Sequence, residues 1–276
     1  MLRGLYGSAA GMFTQQRRQE MLTENLANAN TPGFKADRAS IRTFPNMLIQ
    51  AQNTSNLPPN RSHYVGELSP GAYLQERIPN FAQGDLNETG NNTDIALLQG
   101  NIPINEETGR AGALFFTVEH EDGNARYTRN GNLAVDGQGF LTTSAGHYIL
   151  DTAGERIEVG NEQFTVNRNG VVSTAAGAEI AQIEVAFSED PALLVKEGDG
   201  LLRLEADELD ALPTAIGNDE ISYQLQQGFI ERSNVDAGQT MTEMMQAFRA
   251  FEANQKVLQA YDQSLDKAVN EVGRIG

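Results

Sequence analysis

The 276-residue sequence contains no cysteine, which excludes disulfide bonds, thiolate metal sites and cysteine nucleophiles. It has only three histidines, His63, His120 and His147, and no two of them are four residues apart. The His-Glu-x-x-His motif of zinc enzymes is therefore absent. No apolar run approaches the ~20 residues that a helix needs to cross a bilayer.

A secretory signal pattern is also missing. Residues 1–20 contain no continuous apolar block of signal-peptide length, and Arg17 and Arg18 follow the apolar residues instead of preceding them. We therefore expect that, if the protein is exported, no signal peptide is cleaved from it.

Basic residues are scarce, and the acidic excess lies in the middle of the chain. The net charge is −17, and residues 41–232 hold 11 basic and 28 acidic residues, whereas residues 1–40 hold five basic and three acidic ones. This balance argues against nucleic acid or an anionic membrane as the main partner. We expect no nucleic-acid binding and no membrane insertion.

The N-terminal segment has the spacing of one helical face. Leu2, Leu5, Ala9 and Met12 follow steps of three and four, and Leu22 and Leu26 resume them. Glycines within this run weaken the helix, so we expect it to need a partner. The sequence Asn-Thr-Pro-Gly at 30–33 predicts its end, because proline disfavours helical geometry before it and glycine accepts a left-handed turn.

The C-terminal segment has a longer heptad pattern, which is the signature of a coiled coil. An uninterrupted alternation of three- and four-residue steps predicts a seam of ten positions: Met241, Met244, Phe248, Phe251, Gln255, Leu258, Asp262, Leu265, Val269 and Val272. The alternative is one long helix packed on its own globular domain.

The middle of the chain predicts antiparallel β structure. Short alternating runs are separated by turn signals such as Asn130-Gly131, Asp136-Gly137 and Asn169-Gly170. The segment 51–62 is polar and contains proline, so it predicts a linker or loop. Together these patterns predict an α+β protein in which paired N- and C-terminal helices, a coiled-coil module, flank a mainly antiparallel β domain.

Catalytic patterns are not present. The glycine-rich stretches lack the Gly-Lys-Ser/Thr of a phosphate loop, the acidic clusters lack calcium-loop spacing, and no Gly-x-Ser-x-Gly occurs. We predict no enzyme activity, no catalytic residue, no metal and no cofactor. A carboxylate pair that hydrolyses cell-wall glycan stays open, because sequence cannot pair carboxylates across a fold.

The two ends together resemble the bacterial flagellar rod and hook family. The N-terminal pattern Asn-Leu-Ala-Asn-x-x-Thr-x-Gly-Phe-Lys comprises Asn25, Leu26, Ala27, Asn28, Thr31, Gly33, Phe34 and Lys35. The C-terminal block resembles the family at Gln227, Gly228, Glu231, Ser233, Asn234, Val235, Asp236, Glu243, Met244, Phe251, Glu252, Ala253, Asn254, Lys256 and Val257. We predict an assembly role for these motif residues, and for Phe248 and Leu258 of the heptad.

The middle segment also resembles the family, with one departure. Thr89, Gly90, Asn91 and Asp94 match a Thr-Gly-Asn-x-x-Asp segment, but a Gly-Phe-Phe strand that commonly follows is delayed by an insertion. We therefore expect that strand to begin near Leu114.

The resemblance implies a subunit that stacks into a hollow axial tube with its terminal helices inside. In its length and its single β domain, the chain is most similar to distal-rod-type proteins of this family, and the hook subunit is the nearest alternative. The family implies self-association, contact with other rod and hook subunits, and passage through the flagellar type III export apparatus to the basal body.

The resemblance and the patterns give expected boundaries: an N-terminal helix at 1–35, a linker at 36–64, a β arm at 65–110, an all-β domain at 111–215, a returning arm at 216–238 and a coiled-coil helix at 239–276. We expect Leu2, Leu5, Met12, Leu22 and Leu26 to pack on Met241, Met244, Phe248, Phe251, Leu258 and Leu265. An extracellular adhesion module, oligomerised by its coiled coil, is a further alternative.

Overall fold

The computed structural model describes residues 2–45, 47–50, 64–68, 71–106, 108–204 and 211–272. Within these ranges the chain forms two α-helices and 19 short strands. The elements are α1 (Leu2–Ala27), β1 (Asp37–Thr43), β2 (Met47–Gln50), β3 (Tyr64–Leu68), β4 (Ala72–Pro79), β5 (Leu86–Glu88), β6 (Ile95–Gln99), β7 (Ala113–Glu119), β8 (Ala125–Thr128), β9 (Leu133–Val135), β10 (Leu141–Thr143), β11 (Tyr148–Ile149), β12 (Thr165–Val166), β13 (Val171–Ser173), β14 (Glu179–Gln182), β15 (Val185–Ser188), β16 (Leu194–Lys196), β17 (Leu201–Leu204), β18 (Tyr223–Gln227), β19 (Phe229–Glu231) and α2 (Ala237–Lys267).

The predicted class is confirmed: the protein is α+β, with a helix at each end of the chain and a mainly antiparallel β domain between them. The chain divides into two compact units. The helix unit comprises Met1–Ala27, Asp37–Ile78 and Asp236–Gly276, and the β unit comprises Asn28–Ala36 and Pro79–Val235.

The segment 36–64, which we expected to be a linker, contains strands. β1 pairs with β4, and β2 pairs with β3 in antiparallel register. The partner of β1 lies about 35 residues later in the chain, so this pairing leaves no local signal in the sequence. The polar segment 51–62, predicted to be a linker or loop, lies outside the described residues.

The end of α1 and the start of α2 lie near the expected residues. α1 ends at Ala27, before the predicted stop, and the Thr31 amide donates to the Asn28 carbonyl in the turn that follows. α2 starts at Ala237, where the Asp236 side chain caps it by accepting from the Gln239 amide at 2.9 Å. A π-helical turn, Ala268–Val272, follows α2.

The β unit is built around a sheet in the order β16-β17-β8-β7-β11-β10-β9, with β15 also paired to β7. β6 and β18, from the segments that we expected to be arms, pair with each other. They contribute Ile95, Leu97 and Leu225 to the same buried core as Phe116 and Leu141. The unit therefore begins before and ends after the expected range 111–215.

Two local expectations can be compared with the strands. β7 begins at Ala113, which confirms the strand predicted near Leu114 after the insertion. The Asp136-Gly137 turn is longer than two residues, because Val135 pairs with Leu141. The Asp136 carboxylate accepts from the amides of Gln138 and Phe140 and so holds the longer loop.

Candidate assembly site

Glu231, in β19, is the centre of a buried ionic cluster in the β unit. Only 1% of its side chain is exposed. Its Oε1 accepts from Lys35 Nζ at 2.6 Å and from the Gly84 amide at 2.8 Å. Its Oε2 accepts from Arg129 Nε at 3.0 Å and from Nη2 at 2.7 Å. One carboxylate therefore binds one cation from the N-terminal motif and one from the sheet.

The remaining donors of the two cations also have partners. Arg129 donates to the carbonyls of Leu114 and Leu97 at 2.9 and 3.0 Å. Lys35 Nζ donates to the Ala82 carbonyl at 2.9 Å. Because buried charges are tolerated when they are paired and hydrogen-bonded, this cluster joins segment 28–36, segment 79–84 and β19 within one unit.

The cluster changes the acidity of its members. Burial, together with the charge of Arg129, lowers the pKa of Lys35 from 10.5 to about 8, and Glu231 acts against that change. Burial opposes ionisation of Glu231, but Arg129 and Lys35 outweigh it and hold its pKa below the ordinary value. Glu231 is therefore a carboxylate at neutral pH.

Gly33 of the N-terminal motif lies directly against this cluster. Its φ is +70°, and its amide donates to the Glu231 carbonyl at 2.8 Å. A Cβ at this position would overlap the backbone of Arg129. Both the left-handed conformation and the close approach require glycine.

Phe34 and Asn28 complete the N-terminal part of the β unit. The Lys196 ammonium lies 4.1 Å from the centroid of the Phe34 ring and donates to the Lys35 carbonyl at 2.7 Å. The Asn28 side-chain oxygen accepts from the hydroxyl of Thr31, which is half-buried, at 3.1 Å. The motif residues from 28 to 35 therefore shape a turn that fixes Lys35.

Asn234 of the C-terminal motif connects the same segments. Its side-chain oxygen accepts from the Ala36 amide at 2.8 Å. Its amide nitrogen donates to the carbonyls of Asn80 and Ala82 at 2.7 and 3.0 Å. Ser233 Oγ accepts from the amide of Val235, which is half-buried, at 3.3 Å. The N- and C-terminal motifs therefore meet in the β unit.

Asn25 has a different role in the helix unit. Asn25 lies near the end of α1, and its buried side chain binds β1. It donates to the Asp37 carbonyl and accepts from the Asp37 amide, both at 2.9 Å. It thus substitutes for a strand partner. Leu26 is half-buried and Ala27 is exposed.

The two helices of the helix unit pack against each other in antiparallel directions. Gly4 lies against Tyr261, and Gly11 against Asn254. Arg18 Nη2 binds Glu243 Oε2 at 3.1 Å. A Cβ at Gly4 would overlap the Tyr261 ring. Glycines that weaken an isolated helix therefore let α2 approach closely.

Of the ten predicted seam positions, four lie on the less exposed face of α2, five are exposed, and the side chain of Val272 lies outside the described residues. Met244, Phe251, Leu258 and Leu265 are half-buried as predicted. In place of the five exposed positions, the residue directly before each is less exposed: Thr240, Ala247, Asn254, Tyr261 and Ala268 precede Met241, Phe248, Gln255, Asp262 and Val269. The small side chain of Ala247 packs with Met21 and Leu22 of α1, whereas the larger Phe248 beside it is half exposed.

The expected packing of large apolar side chains is therefore only partly found. Leu22 and Ala247 are buried in one cluster with Met21, against which Met244 packs. Phe248 is 52% exposed, and Met241 is 50% exposed. Leu5 and Met12 are half-buried, and the side chain of Leu2 lies outside the described residues.

Sequence reasoning missed Arg129, and it treated Lys35 and Glu231 only as parts of a family pattern. A basic residue between Thr128 and Asn130 in a turn-rich stretch carries no local sign of burial. One signal was available: each terminal motif contains a charged residue, Lys35 in the first and Glu231 in the second. Because the two charges are opposite, they could have suggested an ion pair in the folded chain.

Neither a metal centre nor a membrane-crossing helix occurs in the described part of the chain. No group of three or more His, Asp or Glu side chains there is arranged to hold a metal ion. Neither of its helices is apolar enough along its length to cross a bilayer.

Three family models match the chain. The model for flagella basal body rod proteins matches residues 5–35, that for the D1 domain of the flagellar hook proteins FlgE/F/G matches 111–180, and that for the C-terminal part of the flagellar basal body rod FlgEFG proteins matches 226–271. The first and third contain the two terminal motifs.

Curated relatives match over nearly the entire chain. The flagellar hook-basal body complex protein FlhO of Bacillus subtilis is 45% identical over all of both chains. The flagellar basal-body rod protein FlgG of Borreliella burgdorferi is 30% identical and FlgF of Caulobacter vibrioides 28%, each over 98% of both chains. The chain thus belongs, as the terminal motifs predicted, to the family of flagellar rod and hook-basal body proteins, the structural axial proteins of the flagellar basal body.

Proposed function

We propose that this protein is a distal-rod-type subunit that polymerises into the hollow axial tube of the flagellum through its terminal helices. The observation that carries the proposal is the end-to-end match to basal-body proteins, 45% identical to FlhO over all of both chains. Curated relatives that are named as rod proteins FlgG and FlgF also match from end to end, which favours a rod subunit over a hook subunit.

The helix unit supplies the polymerising element in this proposal. α1 and α2 form an antiparallel pair through Gly4, Gly11 and the Arg18–Glu243 ion pair. The buried face of α2 alternates steps of four and three from Thr240 to Ala268, which is the spacing of a coiled coil. We therefore propose coiled-coil pairing of the helices, extended by contacts with neighbouring subunits.

The motif residues serve assembly indirectly in this proposal. Gly33, Lys35, Glu231 and Asn234 hold the two chain segments that lead to the helices at one place in the β unit. Asp236 then caps α2. The residues Asn25 to Phe34 and Ser233 to Asp236 thus determine where each helix starts or stops, whereas Met244, Phe251, Asn254 and Leu258 line its buried face.

The proposed partners are further copies of the chain, other rod and hook subunits, and the type III export apparatus. The role is structural and not enzymatic, and it needs no cofactor. The expected boundaries of linker, arms and β domain are replaced in this proposal by the two compact units.

The test is electron microscopy of hook-basal bodies from a clean deletion of the gene, with a swimming assay of the same strain. We expect a lost or shortened rod without a hook, and no swimming, with both restored by the intact gene on a plasmid. Normal basal bodies and normal swimming would overturn the proposal. Hydrolysis of purified peptidoglycan by the protein would then support the hydrolase alternative, and stable free oligomers would support the adhesion module.

A further inference from the structure

A shallow apolar groove lies along the seam between α1 and α2. It has a volume of about 360 Å³ and is lined by Gln19 and Thr23 of α1 and by Met244, Met245, Phe248 and Arg249 of α2. Met244 and Thr23 contact each other across the two helices, with 3.7 Å between Thr23 Oγ1 and Met244 Sδ. The groove is therefore a continuation of the α1–α2 interface.

The groove exposes large apolar side chains to water in the single chain. Phe248 and Met245 are each about half exposed, at 52% and 50%. Exposed apolar side chains beside one another destabilise a surface in water, so they favour a bound partner.

α2 carries more apolar residues than its contact with α1 uses. Ala247 and Asn254, seven residues apart, belong to the heptad series that contacts α1. Met241 and Phe248, also seven residues apart, belong to the neighbouring heptad series, which is exposed. Two adjacent heptad series on one helix are typical of a helix that contacts two partners.

α1 carries the matching side chain on a different face. Phe13 is 62% exposed, and Tyr6, seven residues earlier on the same face, is 64% exposed. At 3.6 residues per turn, Phe13 and Gln19 point about 120° apart around the α1 axis. An aromatic ring suits this groove, because it can contact the sulfur atoms of Met244 and Met245.

We propose that the groove binds Phe13 of a second copy of this chain. Groove and ring lie on different faces of the same helix pair, so each copy can receive one ring and offer another. The contact that we propose is head-to-tail, and heterologous contacts of this kind give a ring where the rotation closes and an open helical polymer where it does not. The inference rests on the proposed function, which requires an open polymer, and adds the pair of surfaces that joins successive copies.

The test uses cysteine cross-linking, which is specific here because the chain has no cysteine of its own. The gene is replaced by a variant with Arg17→Cys, one turn after Phe13, and Arg249→Cys, at the rim of the groove. Basal bodies are isolated, treated with a short bismaleimide and separated on a denaturing gel. We expect a ladder of dimers, trimers and larger multiples of the chain.

Matched variants make the result specific. Combining Arg17→Cys with Val257→Cys, an exposed α2 position about two turns beyond the groove, should give no ladder. In the Arg17→Cys, Arg249→Cys chain, Phe13→Ala should reduce the cross-linked fraction about tenfold, whereas Phe13→Tyr, which keeps the ring, should retain it.

The outcomes separate this inference from the proposed function. If the chain is present in basal bodies but forms no ladder, or forms one that Phe13→Ala leaves unchanged, the groove contact is wrong and the rod role stands. A product whose mass fits another axial protein identifies a different occupant and also overturns the inference. If the chain is absent from basal bodies, the proposed function itself fails.

Discussion

At the scale of single residues, Glu231 links the two ends of the chain chemically. It is a carboxylate that is 1% exposed between two cations, Lys35 from the N-terminal motif and Arg129 from the sheet. Such a cluster contributes little net stability compared with apolar packing, but the loss of one member leaves an unpaired buried charge. Its main effect is therefore to fix which segments meet.

The lowered pKa of Lys35 predicts a dependence of stability on pH. Between about pH 8 and pH 10.5, Lys35 is mostly neutral in the folded chain and charged in the unfolded chain. Unfolding then takes up a proton, so the free energy of unfolding rises with pH across this window. We expect the stability of the native protein relative to Lys35→Met to increase from pH 8 to pH 10, as measured by urea denaturation. A difference that stays constant or decreases would contradict the assignment.

Gly33 allows steric overlap to be separated from backbone strain. Gly33→Ala should lower the free energy of unfolding by about 2–4 kcal/mol, because a left-handed alanine is strained and its Cβ overlaps the Arg129 backbone. Gly90 is the matched control, since its φ is +72° but a Cβ there would have nothing within 4 Å. Gly90→Ala should cost only about 1 kcal/mol. Equal losses in chemical denaturation of the two variants would show that the close approach has no effect.

At the scale of elements, the register of α2 against α1 is the most informative feature. Large apolar residues predicted one seam, but the helices approach through small residues, with Gly4, Gly11 and Ala247 on the facing sides. Close helix packing of this kind leaves neighbouring large side chains outside, where they are available to a second partner.

Two adjacent residues test this register. Ala247 is 1% exposed, so Ala247→Asp places an unpaired charge in the helix pair and should destabilise it by about 3 kcal/mol. Phe248→Asp places the same charge at the adjacent exposed position, where the helix propensity cost is smaller because phenylalanine is a poorer helix former than alanine, and should change stability by less than about 1 kcal/mol. Thermal melting followed by far-ultraviolet circular dichroism measures both. The opposite order would restore the seam that was predicted from the apolar pattern.

At the scale of the whole molecule, charge and packing are divided between different parts of the chain. Residues 41–232 hold 28 of the 37 acidic residues, whereas the terminal segments are close to neutral. In the proposed tube, this acidity would keep the subunit soluble before assembly, and the near-neutral helices would pack between copies with little charge repulsion.

Assembly can be separated from folding with two substitutions on α2. Phe251 is half-buried on the face toward α1, and Gln255, one turn later, is exposed. Phe251→Asp should abolish incorporation into basal bodies and swimming, whereas Gln255→Asp should allow both. Immunoblots of purified basal bodies measure incorporation, and cooperative unfolding of the purified variant checks that the β unit stays folded. Incorporation of Phe251→Asp at the native level would contradict assembly through the helices.

The sequence by itself determined the elements whose signals are local. Three- and four-residue spacing defined α1 and α2, Pro32 and Gly33 marked the end of the first helical segment, and alternating runs between glycine turns gave the antiparallel β domain. The paired terminal motifs also carried the family, because their residue types and order can be read along the chain without knowledge of the fold.

Only the tertiary structure decided which distant residues meet. The pairing of β1 with β4, the ionic cluster of Lys35, Arg129 and Glu231, and the choice of Ala247 over Phe248 for the seam all depend on partners far away in the chain. Each of these contacts is selected by burial and close approach in the folded state, and none of the three leaves a periodic signal in the sequence. The spacing predicts that a helix has a buried face, but the surface of the partner determines which residues form it.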